Sequence, residues 1–295
     1  MPIDLSGADS PEIRELTLAD VDSLRLGWWS RFDDAEVQAV LRVAPGISTW
    51  IEELHEYALV GPWRHRDEIV HVIELVSIRH PTALILTSIQ KAIQAGVHLF
   101  LAVEMTERRR SAFYEEVGLT VLEEVLSYEL IQPRLTRTEF DDVAKVGNTT
   151  PDVLRLLLQL DNDAFPWLWQ NSGAEFREYL GQPGVEINVL TNSSLQVGYV
   201  GITNYHGWGH IDRVAVRSDH QGNGFGRRLT EFAINRLAAL GSTRIGLSTQ
   251  RRNVRSQTLY ESLGFQRQPG SDYLIYGRPL SDTDSLDQLV MGRRE

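Results

Sequence analysis

The 295-residue chain contains no cysteine. That excludes disulfide scaffolds, thiolate zinc sites and cysteine nucleophiles, and it fits a reducing, cytoplasmic setting. Lysine is nearly absent: only Lys91 and Lys145 stand among 29 basic residues, which face 40 acidic ones. The resulting formal charge of −11 leaves no basic footprint for a nucleic acid and favours a cationic small molecule or peptide as partner. Long apolar runs are missing as well. None approaches the roughly 18–20 residues that span a bilayer, so no membrane partner is expected. The acidic, polar Met1–Ser10 segment does not read as a signal peptide. No predicted helix carries an H-x-x-x-H pattern, so no metal is implied.

What is present points to two globular domains. Hydrophobic residues make up 42% of the chain, enough for buried cores, and the length suits two units of ordinary size. The halves resemble each other. Ala92-Ile-Gln-Ala-Gly96, Val97–Val103 and Phe113-Tyr-Glu-Glu-Val-Gly-Leu119 recur as Leu237-Ala-Ala-Leu-Gly241, Arg244–Ser248 and Leu259-Tyr-Glu-Ser-Leu-Gly-Phe265. Gly96 to Gly241 is a shift of 145, and Tyr114 to Tyr260 and Gly118 to Gly264 are shifts of 146. Each unit reads helix, glycine cap, strand, helix, glycine cap, strand. The first unit is expected over residues 1–132, beginning with a strand at Ile13–Thr17 and a helix from Asp20. A linker follows at 133–137, around Pro133. The second unit is expected over 138–280, with a helix from Thr150, strands at Glu186–Thr191, Gln196–Asn204 and His210–Val216, a helix at Gly226–Leu240 and a closing strand at Tyr273–Arg278. Residues 281–295 read as a polar tail.

The chemistry concentrates in His210–Leu229. A strand runs into a loop with Gly222, Gly224 and Gly226, and the loop opens a helix. Glycines at alternate positions admit positive φ and close backbone approach, and the helix start offers free N–H groups to an anion. Arg227 and Arg228 add charge there. A dinucleotide fingerprint fails because Arg227 and Leu229 occupy its required glycine positions, and a Walker loop fails for want of a lysine.

What remains, Gln221-Gly-Asn-Gly-Phe-Gly226, resembles the acetyl-CoA signature of the GNAT superfamily of N-acetyltransferases. Asn253, Ser256, Tyr260 and Leu263-Gly-Phe265 match a second part of that pattern. The resemblance implies an α/β (α+β) fold of two tandem GNAT-like domains, each a mixed, mainly antiparallel twisted sheet flanked by helices. It is strong over 137–280 and weaker over the first half, where Arg79-His-Pro-Thr-Ala-Leu84 replaces the glycine loop and no glycine lies between Gly61 and Gly96. The first unit therefore reads as degenerate for cofactor binding.

The resemblance further implies acetyl-CoA as cosubstrate, held by Val214, Ala215, Val216, Gln221, Gly222, Asn223, Gly224, Phe225, Gly226, Arg227, Asn253 and Ser256. Tyr260 would protonate the leaving thiolate. A general base is expected on the strand before the glycine loop, where His210 stands eleven residues before Gln221 and Asp212 two residues further on; His210 is slightly favoured. Trp167, Trp169, Tyr205 and Trp208 are the expected acceptor-binding aromatics. The implied activity is acetyl transfer to a primary amine of a small molecule or peptide, by direct attack in a ternary complex, in a monomer or homodimer. A non-catalytic acyl-CoA-binding sensor or scaffold is the alternative.

Overall fold

The computed structural model describes residues 11–280 except 25, 27–29, 106–110, 137 and 148. The expected tail at 281–295, the segment Met1–Ser10 and linker position 137 lie outside the described residues.

In chain order the first half forms β1 (Arg14–Glu15), α1 (Asp34–Val43), β2 (Thr49–Ile51), β3 (Glu56–Trp63), β4 (Arg66–Val76), α2 (Pro81–Gln94), β5 (Leu99–Met105), α3 (Ser111–Glu116) and β6 (Thr120–Ile131). The second half forms β7 (Val143–Lys145), α4 (Pro151–Ala164), α5 (Gly173–Gly181), β8 (Val185–Asn192), β9 (Leu195–Tyr205), β10 (Trp208–Val216), α6 (Phe225–Ala239), β11 (Arg244–Gln250), α7 (Val254–Ser262), β12 (Gln266–Arg267) and β13 (Tyr273–Pro279). Local chemistry explains many of these bounds. Thr150 caps α4 by accepting from the Val153 N–H, with Pro151 at the first helical position. The β8–β9 turn places Ser193 and Ser194 at φ 48° and 73°, the positive-φ pair that matches strand twist. The expected helix from Asp20 is instead a 3-10 segment, Leu18–Ser23. The α-helix starts later, at Asp34, where Asp33 and Glu36 form a reciprocal capping box.

The chain divides into two compact units, and their bounds differ from the expected division at 133–137. The second unit takes Val121–Ile275, and the first takes back the chain from Tyr276. Strand pairing is the reason. Val125–Ile131 of β6 pair antiparallel with Gln250–Arg244 of β11, so the last strand of the first half completes the sheet of the second unit, in the order β6-β11-β10-β9-β8-β7. The first unit runs β1-β2-β3-β4-β5-β13, and the Leu280 N–H donates to the His98 carbonyl (2.9 Å). The corresponding strands of the two repeats have thus traded places.

Each unit has its own core. Val21, Val37, Leu41, Trp50, Tyr57 and Leu59 pack in the first. The sheet of the second unit is covered on both faces. Leu126, Tyr128, Ile211, Leu229, Leu237 and Leu247 fill one side, and Leu157, Leu160, Phe176, Tyr199 and Ala215 fill the other. Nearly continuous burial on both faces favours apolar runs in β8 and β9.

In the first unit the turn that leads into α2 takes an internal anion. Glu56 is buried, and its carboxylate accepts from the Ser77 hydroxyl (2.7 Å) and the N–H groups of Ile78, Arg79 and His80 (2.9, 2.8 and 3.0 Å). Burial works against its charge, yet these four bonds hold the Glu56 carboxyl below its ordinary range. Glu56→Ala is expected to cost about 2–3 kcal/mol at neutral pH, since it strands donors that faced a charge. A depressed carboxyl stabilises the fold above its unfolded pKa and loses that effect as pH falls through its folded value. The gap between wild type and variant, measured by urea denaturation, therefore narrows on acidification. A gap that is constant with pH would remove this account of Glu56.

Candidate functional site

The site lies within the second unit and begins where two strands part. β10 and β11 pair in parallel only from Trp208–Arg244 to Ile211–Leu247. The β10–β9 ladder shifts register between Ile211 and Arg213, a bulge at Asp212. β10 continues to Val216 along β9 and β11 continues to Gln250 along β6, so the sheet opens between them. A cleft of about 490 Å³ occupies the opening, with Val214 and Val216 on one wall and Gln250, Arg252 and Asn253 on the other. Ala215 points to the opposite face, into the core against Tyr199, so only its backbone remains available to a ligand.

The floor is the glycine loop. Gly222 and Gly224 take φ 89° and 85°, a region that side chains rarely adopt. Gly224 is the N-cap of α6 and supplies no capping side chain, so the opening N–H groups of the helix have no internal side-chain acceptor. Gln221, Gly222, Gly224, Gly226 and Arg227 line the cleft, and the Gln221 amide donates to the Val216 carbonyl (3.1 Å), tying loop to strand. These features fit a diphosphate: exposed amides, the positive end of a helix dipole and a cation. A Cβ at Gly222 would stand 3.1 Å from the Arg255 guanidinium, so Arg255 overhangs the same cradle.

Other expected cofactor residues lie off the cradle. The Asn223 amide donates to the His220 carbonyl (3.2 Å), the Phe225 ring packs toward the core beside His220, and neither side chain is among those that line the cleft. Arg228 is bound by Asp142 (2.6 Å) and stacks on Phe140, which makes it a structural cation.

α7 supplies the reactive side. Asn253 caps it, accepting from the Ser256 N–H (3.2 Å), and lines the cleft with Ser256, Leu259 and Tyr260. Burial pushes the Tyr260 phenol up to about 12, against a modest lowering by its hydrogen bond with Ser256. At neutral pH it is therefore a protonated donor.

The far wall holds Phe165, Pro166 and Trp169, together with Glu123 from β6. The aromatic segment is anchored from beneath. Asp161 is fully buried and receives Arg213 through both oxygens (2.6 and 2.9 Å), the Asn171 N–H (2.8 Å) and the Tyr199 hydroxyl. Arg213 also donates to the Trp169 carbonyl (2.5 Å), and its guanidinium lies 3.8 Å from the Phe165 ring centroid. Of the four expected acceptor-binding aromatics, the structure brings Trp169 into the cleft; Trp167 is not on its wall. Tyr205 and Trp208 are exposed, and Trp208 borders a separate depression with Glu129, His206 and Arg244.

The expected base pair also sits elsewhere. His210 lies opposite Gly246, where β10 and β11 are still joined, and its Nδ1 is 2.8 Å from Asp212 Oδ1. Asp212 Oδ2 accepts from Tyr179 (2.5 Å) and Thr203 (2.7 Å). Burial and the Asp212 charge push the Tyr179 phenol well above its ordinary range. Neither His210 nor Asp212 lines the cleft. Among the described residues no group of three or more His, Asp or Glu side chains is placed to hold a metal. No helix among them is long and apolar enough to cross a membrane.

Compared with known proteins, residues 154–265 match the model of the acetyltransferase (GNAT) family. The match covers less than half of the chain. The splayed strands, the glycine loop and the whole of Tyr260's helix fall inside the match, whereas Glu123 falls outside it. A stretch of 59 residues is 42% identical to a mycothiol acetyltransferase of Kocuria rhizophila; it covers 20% of this chain and 20% of that protein. The match thus spans only about a fifth of the relative's length. Among solved structures, a GCN5-related N-acetyltransferase from Sphaerobacter thermophilus is similar with a TM-score of 0.60 at 16% identity, over 92% of this chain and 96% of that one. A tandem GNAT protein from the clavulanic acid biosynthesis pathway gives a TM-score of 0.56 at 12% identity, over 93% and 100%. At such identities the likeness establishes the fold, which is that of tandem GNAT proteins.

Proposed function

We propose that the GNAT domain transfers an acetyl group from acetyl-CoA to a primary amine of a small molecule or peptide, by direct attack within a ternary complex. One observation carries this reading: the cleft joins an uncapped, glycine-rich helix start to a buried, protonated phenol across parted strands. Acetyl-CoA supplies the activated thioester. The amides of Gly222–Gly226, with Arg227 and Arg255, would hold its diphosphate, and Asn253 its pantetheine arm. Backbone N–H groups of Val214–Val216 would polarise the carbonyl oxygen, and Tyr260 would give its proton to the departing sulfur. The first unit is read as a repeat without this function, because Glu56 already takes the N–H groups of Ile78, Arg79 and His80, the turn that leads into α2.

The test is simple because the chain has no cysteine, so a thiol reagent reads released coenzyme alone. Acetyl-CoA is offered with spermidine, kanamycin, lysine, glucosamine and a short peptide. Amine-dependent thiol release is expected, and Tyr260→Phe lowers kcat by about 100-fold with acetyl-CoA binding unchanged. Tight acetyl-CoA binding without turnover of any amine would instead mark a non-catalytic acyl-CoA-binding module.

A further inference from the structure

We infer that Glu123, carried into the cleft by β6, receives the proton of the acceptor amine, in place of His210 and Asp212. The inference rests on the acyltransferase reading above. Three observations lead to it. Glu123 is a buried carboxylate on the same cleft wall as Trp169 and in the same cavity as Tyr260 and Val214. Its neighbours hold it still: Arg252 Nε lies 3.0 Å from Oε1, and the same guanidinium donates to the Leu122 carbonyl (2.5 Å). His210, by contrast, stands over Gly246, in the closed part of the sheet before the strands part, with Asp212 committed to three side chains.

The groups that face Glu123 are Arg252 from the β11–α7 connection, the Trp169 indole and the Glu124 N–H. Burial outweighs the attraction of Arg252 and holds the Glu123 carboxyl above its ordinary range. A carboxylate in that condition takes a proton more readily than an exposed one.

The step balances. An acceptor ammonium gives one proton to Glu123, which later returns it to solvent. The freed nitrogen forms a bond to the acetyl carbon while the carbon–sulfur bond breaks. The second nitrogen proton restores the Tyr260 phenol after that phenol has protonated sulfur. The products are an amide and a free thiol.

Glu123→Gln keeps shape and one accepting oxygen for Arg252 but cannot accept the proton. With acetyl-CoA and the fastest amine of the panel, it is expected to lower kcat/KM at pH 7 by about 100-fold. Acetyl-CoA affinity stays at the wild-type value. The inflection that Glu123 sets on the acidic limb of the wild-type pH profile disappears, and the variant's rate rises with pH only through the acceptor ammonium's own, more alkaline ionisation. His210→Gln keeps both rate and limb. If Glu123→Gln does not fold, Glu123→Asp is measured: a lowered rate with the limb retained supports the role, and an unchanged rate overturns it. The inference also fails if Glu123→Gln keeps full activity, if it loses acetyl-CoA binding along with activity, or if His210→Gln removes the limb. Absence of turnover by the wild type defeats the acyltransferase reading itself, which the variants then do not decide separately.

Discussion

A fragment comprising residues 133–295 is expected to lack a cooperative unfolding transition and to bind no acetyl-CoA. It contains every residue of the GNAT match. It lacks β6, which pairs with β11 along Val125–Ile131 and buries Leu122, Val125, Leu126 and Tyr128. At roughly 1.5–3 kcal/mol for each large side chain, the lost burial amounts to about 6–12 kcal/mol. Whole domains are stable by only about 5–15 kcal/mol. The cut also bares an edge of β11, which invites aggregation. Circular dichroism with heating, and isothermal titration with acetyl-CoA, read the result. A fragment that melts cooperatively and binds like the full chain would show that the exchanged strand is dispensable. A fragment beginning at Val121 restores the ladder and is expected to recover part of the lost stability.

Asp161→Ala is expected to cost about 3–5 kcal/mol, the range for stripping one partner from a buried ion pair. The Asp161 carboxylate is the anion that Arg213 meets between β10 and α4, and no water reaches it. Urea denaturation should show a lower midpoint with an unchanged slope. Replacing both partners with apolar residues, Asp161→Leu with Arg213→Met, should recover much of the loss, because no charge is then left buried and alone. The variants also separate two roles of the network. Arg213 holds the Trp169 carbonyl and the Phe165 ring, so the double variant regains stability while KM for the amine stays raised. A double variant with wild-type KM would mean that the aromatic wall holds its position without Arg213.

The parts of the site that were readable in the chain are those whose physics is local. Gly222 and Gly224 favour glycine because of their own φ, Asn253 caps its helix by accepting from the N–H three residues ahead, and Tyr260 lies two turns further on the same helix. The expected residues that lie off the cleft do so for an equally physical reason. Counting back from Gln221 reaches His210, but the bulge at Asp212 falls between His210 and the opening, and the strands are still joined at His210. The aromatic pair Tyr205 and Trp208 is close in sequence to the site yet sits at the opposite end of β10 from Val216.

Amino-acid order alone was enough for the tandem α/β architecture, the glycine loop before α6 and the helix that carries Tyr260, because turns, caps and periodicity act over a few residues. It was silent on which half owns β6 and β13, on the partner of Arg213 52 positions away, and on Glu123, which meets Arg252 across 129 residues. Those depend on which strand edges find each other and which charges lose their water together, and only the folded chain decides that.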